Sequence, residues 1–98
     1  MYFLVYEVSP KPAHRCYGEV DGAFVSLFVN EHIKEPAVAA AEDFVASDGW
    51  DIVAFTEAYA VSLEDYPPGH ESRDRYLQAE QDGVVATFHT WPIGAPDE

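Results

Sequence analysis

Positive charge is scarce in this chain. Lys11, Arg15, Lys34, Arg73 and Arg75 stand against eighteen acids in 98 residues, giving a formal net charge of -13. Such a surface repels phosphate backbones and anionic membranes, so nucleic acid and lipid headgroups are not expected partners. Two readings of the charge stay open: solubility, or attraction to a basic protein partner. Cysteine is scarcer still. Cys16 stands alone and cannot close an intramolecular disulfide. No basic stretch followed by a cleavable apolar segment opens the chain, so a reduced cytoplasmic protein without a secretory signal is expected. No apolar run approaches the ~20 residues that span a bilayer. Phosphate-cradling glycine loops, catalytic-triad patterns and paired-carboxylate motifs are also missing from the sequence.

What is there suits a folded protein. The hydrophobic share is 48% and the aromatic share 14%, too much apolar surface for a disordered chain despite the charge. The length predicts one domain over 1–98, with "IGAPDE" at 93–98 a loose tail. "MYFLVYEV" and "AFVSLFVN" alternate as strands, joined by the Pro- and Gly-bearing "SPKPAHRCYGEVDG". "EPAVAAAEDFVASDGW" places Ala37, Val38, Ala41, Phe44 and Val45 on one helical stripe, with Pro36 in the first turn and Gly49 as the stop. "WDIVAFTEAYAVSL" alternates without a Gly or Pro to bend it, which favours one long or bulged strand over two. After the loop "EDYPPGHES", a shorter helix carries Tyr76, Leu77 and Ala79 and ends at Gly83. A last strand, "GVVATFHTWP", turns Val84, Ala86 and Phe88 inward and His89 and Trp91 the other way.

Two segments echo one another: "FVASDGWDIVAF" and "YLQAEQDGVVATF" both run from an aromatic through a helix end and Asp-Gly into an apolar strand. Two such helix–strand units predict an α+β ferredoxin-like plait in the order β-β-α-β-α-β, mainly antiparallel, with both helices on one face. The spacing of Gly49-Trp50, Tyr59, Tyr66, Tyr76, Ala79, Gly83 and Trp91 resembles a family of short bacterial proteins of uncharacterised role, over roughly residues 37 to 91. The resemblance implies the same ferredoxin-like fold and brings no activity, cofactor or catalytic residue with it.

If the helices cover Phe3, Val5, Val25, Leu27, Val29, Val84, Ala86 and Phe88, the other face carries Tyr2, Leu4, Tyr6, Phe24, Phe28, His89 and Trp91. The strand over 51–63 is free to turn either side inward. An aromatic face of that kind is too apolar to stay wet. A second copy of the chain is the expected cover, packing sheet against sheet around a two-fold axis. A small apolar ligand, or the long connection after the first strand, is the alternative. The predicted interface or pocket residues are therefore Tyr6, Phe24, Phe28, Glu57, Tyr59, His89 and Trp91.

Each candidate has a plainer reading. Glu57 among apolar neighbours could serve as a general acid or base, or simply be a solvated position at a bulge or edge. His89 with Trp91 and Glu57 could line a pocket between protomers, or His89 could be an interface histidine with a satisfied hydrogen bond. Zinc needs three or four converging ligands; His14 and Cys16, with His32 and His70 elsewhere, do not supply them, so neither metal nor cofactor is expected. Cys16 has Arg15 next to it but no base, and reads as an unreactive thiol. "EDYPPGHESRDR" is a docking loop or a solvated one, and Trp50 is expected against a helix end. The function these residues favour is non-catalytic: a small acidic protein working as a homodimer through protein contacts, whose charge and size fit a regulatory or immunity-type inhibitor of a basic partner. The alternative is a ligand-binding protein or small dimeric enzyme with its pocket on the sheet face.

Overall fold

A computed structural model describes the backbone of residues 1–92 and the side chains of residues 1–90; the tail expected at 93–98 lies outside the described residues. Strand β1 (Tyr2–Pro10) and strand β2 (Val20–Val29) form the central antiparallel hairpin. Helix α1 (Lys34–Ser47) follows, then strand β3 (Trp50–Ala60), a 3-10 turn at Leu63–Asp65, helix α2 (Arg73–Asp82) and strand β4 (Val84–Pro92). The chain order of strands and helices is the one the sequence predicts. The sheet order is β3-β1-β2-β4, and every neighbouring pair is antiparallel.

That order corrects the expected pair of split units. Strands β2 and β3 both run against β1, so β2-α1-β3 is one split β-α-β unit with β1 threaded between its strands. Strands β3 and β4 run in opposite directions at the two edges, so α2 does not complete a second such unit. The echo between the two Asp-Gly segments marks two helix-to-strand turns. It does not mark two copies of one motif.

The helices also lie on opposite faces, not on one. Under α1, Ala37, Ala41 and Val45 pack on Leu4, Tyr6, Val8, Val25, Leu27 and Val29, with Val84, Ala86 and Phe88 at the margin. On the other side, Tyr76 and Ala79 of α2 pack on Phe28, with Phe3 and Val85 beside them. Register explains the split. Leu4 pairs with Leu27 and Tyr6 with Val25, whereas Phe3 pairs with Phe28 and Phe28 with Val85. At that end the sheet is apolar on both sides, so each side needs a helix.

The phase expected for β1 is therefore reversed: Tyr2, Leu4, Tyr6 and Val8 face α1, and Phe3 and Val5 face away. One residue carries the reason. Glu7 is in phase with Phe3 and Val5, and turning that row under α1 would strand a carboxylate in an apolar layer.

Candidate functional site

The half of the sheet's second face that α2 leaves open is built from two cross-strand rows. One runs Glu57, Val5, Ser26, Thr87; the next runs Ala54, Glu7, Phe24, His89. Its polarity is mixed, which corrects the expected aromatic face. Of the residues predicted there, Tyr6 is fully buried beneath α1 and Phe28 is buried beneath α2. Neither is available to a second copy or to a ligand. Phe24, Glu57, Tyr59 and His89 do lie on this face and are exposed. The backbone of Trp91 pairs with Gly22, and its side chain lies outside the described residues.

The exposed four do not converge. Glu57 and Tyr59 sit on edge strand β3, and His89 on the opposite edge strand β4. Three inter-strand steps separate those edges, about 14 Å at the usual strand spacing. A carboxylate and an imidazole at that distance do not share a proton with one small substrate. Tyr59 instead leans on Phe3, with ring centroids 5.6 Å apart, beside the α2 cluster.

The bulges of β3 decide what its side chains meet. Register shifts fall between Val5 and Tyr6 and between Glu7 and Val8 of β1, leaving Thr56 and Val53 without cross-strand partners. Each extra residue flips the alternation that follows. Phe55 therefore meets the ring of Tyr6 edge-on at 5.5 Å on the α1 face, whereas Glu57 and Tyr59 point to the other face. Uninterrupted alternation had put all three on one side. Glu57 thus occupies an exposed place beside a bulge, the plainer of its two readings.

A second aromatic cluster was not anticipated. Phe28 is met edge-on by Tyr66 at 5.5 Å and by Tyr76 at 6.1 Å, and Phe3 packs on it at 5.1 Å. The Arg73 guanidinium donates to the Tyr66 carbonyl at 2.8 Å and so pins the loop before α2 over the sheet. Burial pushes the phenols of Tyr66 and Tyr76 upward. The signal in the sequence was Phe3 and Phe28, bulky rings out of phase with the α1 core, which demand a cover of their own.

The long β1–β2 connection does not cover the open face. It folds back on the α1–β3 junction, where the Lys11 amide donates to the Gly49 carbonyl at 2.9 Å. The His14 ring lies 4.6 Å from that of Trp50, and its Nδ1 accepts from the Cys16 amide at 3.0 Å. Gly49 has φ +90, and a Cβ there would stand 2.7 Å from His14 Cδ2. Trp50 stacks on Phe88 at 5.1 Å within the α1-side core while its Nε1 donates to Asp48 at the helix end. The expected contact with a helix end is thus made, with the bond from the indole nitrogen to Asp48 and the ring in the same core cluster as Val45 of α1. Among the described residues no three His, Cys, Asp or Glu side chains converge as metal ligands, and no helix is long and apolar enough to cross a membrane.

Exposed apolar side chains gather elsewhere. Ile52, Val53, Phe55 and Tyr59, four of the eight large hydrophobic residues exposed among those described, belong to β3, and a fifth, Phe44, lies on the helix packed along it. No protein-family model, curated protein or solved structure matches the chain.

Proposed function

We propose that this chain works by binding another protein and performs no chemistry of its own, as a small regulatory or inhibitory subunit for a basic partner inside the cell. The observation that carries the reading is the concentration of exposed apolar residues on edge strand β3 of a chain with net charge -13. Exposed apolar side chains gathered along one edge strand suit contact with another protein, and a strongly acidic surround selects partners of opposite charge and speeds their approach. Within one chain Glu57 and His89 stand on opposite edge strands, too far apart to act as an acid–base pair on one small substrate, which supports contact over chemistry.

Affinity capture from the native host tests this. At about 50 mM salt a basic protein should be retained, and it should be largely released at about 300 mM as screening shortens the reach of the acidic field. Capture of an acidic partner, or retention indifferent to salt, would overturn the proposal.

A further inference from the structure

Edge strands are a hazard that folds ordinarily blunt with lysine, proline or an overlying element. Strand β3 is eleven residues long and, among the described residues, pairs only with β1, which leaves its outer side without a neighbouring strand. From Trp50 to Ala60 it contains neither lysine nor proline, and its charges are Asp51 and Glu57. Val53 is 58% exposed, Phe55 51%, Tyr59 46% and Ile52 37%. Its two bulges break the ladder into short runs and favour a partner whose own backbone accommodates them.

Acids flank this edge on both faces. On the α1 side, the Glu42 carboxylate lies 3.4 Å from the Tyr6 hydroxyl, and the Tyr6 ring meets Phe55. On the other side, Glu57 stands opposite Val5 and Asp51 opposite Ser9, in phase with one another.

From this arrangement, and resting on the reading that the chain acts by protein contact, we propose that β3 is the docking edge for an extended, lysine- or arginine-bearing segment of a basic partner, which adds to the sheet as a fifth strand. Backbone hydrogen bonds supply the common affinity of strand addition, and side-chain contacts supply its selectivity. Apolar side chains of the incoming strand cover Ile52 and Phe55 on one face and Tyr59 on the other. Its cations reach Glu42 on the first face and Asp51 and Glu57 on the second. Charge chooses this occupant over a second copy, because another chain of net charge -13 would bring its own Asp51 and Glu57 to the same edge.

The test uses the full chain, isotopically labelled, and three synthetic peptides of about nine residues, a length typical of a strand. The first repeats Lys-Lys-Val-Val, which puts both residue types on each face of a strand. The second is the same peptide N-methylated on the residues that face β3, which blocks the ladder. The third carries glutamate for lysine. With the first peptide, amide exchange should slow within Ile52–Tyr59, and Glu57→Lys or Phe55→Ser should weaken binding about tenfold at low salt, with circular dichroism reporting an intact fold. The second and third peptides should bind at least about tenfold more weakly than the first. Equal binding of the N-methylated peptide, or protection away from β3, overturns strand addition while leaving a basic partner in place. Equal binding of the glutamate peptide overturns the basic partner itself. Protection of β3 by rising concentration of the chain alone, strengthened by salt, would give the edge to a second copy and overturn the proposal.

Discussion

Tyr6 shows how much one side chain's environment sets its chemistry. Its ring is fully buried between α1 and the sheet, and its hydroxyl reaches only the Glu42 carboxylate. Burial first, and then the negative charge of Glu42 and the hydrogen bond to it, push the phenol from 10.0 up to about 12. The folded state therefore holds this proton more tightly than the unfolded chain does. The resulting stability is whole below pH 10 and is lost as pH climbs from 10 toward 12. Tyr66 and Tyr76 shift in the same direction. Urea unfolding at pH 8 and pH 11 should show a clear loss of stability at the higher pH, and Tyr6→Phe should lose visibly less than the parent. An equal loss in both proteins would show that Tyr6 does not govern the alkaline limb.

At the scale of elements, β2 serves two layers. Val25, Leu27 and Val29 go to α1, and Phe28 goes to α2. A ring 3% exposed beneath a helix is a structural residue. Phe28→Ala should cost roughly 3–5 kcal/mol of folding stability by chemical denaturation, the range for truncating a buried aromatic. Phe24→Ala, at a position exposed on the open half of the face, should cost distinctly less. Comparable losses would mean that the open half is covered. Much of this element structure was legible in the sequence. The helical stripe of Ala37, Ala41 and Val45 and the inward set Val84, Ala86 and Phe88 are where periodicity puts them. The single long β3 followed from the lack of a Gly or Pro near Thr56. Its bulges were not legible, because nothing local distinguishes Val53 or Thr56 from its neighbours; they arise from fitting β3 against β1.

For the whole molecule, the acids are opposed by five Lys and Arg side chains, and the folded chain concentrates that repulsion into a small volume. Added salt screens it. The thermal midpoint of the chain alone should rise by a few degrees, about 2–5 °C, between roughly 20 and 300 mM sodium chloride. A midpoint that falls with salt would mean that attractive ion pairs dominate the surface.

Composition and periodicity determined the acidic character, the α+β class, the order of elements and, outside the bulged β3, the residues that share a side of each strand, because these depend on residue type and on near neighbours. Only the tertiary structure decided which side of β1 turns inward, that α2 takes the face opposite α1, and that β3 lies at an open edge. Those outcomes come from strand pairing between segments far apart in the chain. An alternating strand that is apolar on both sides, as Phe3 and Leu4 make β1, states its two faces without stating which of them meets a helix.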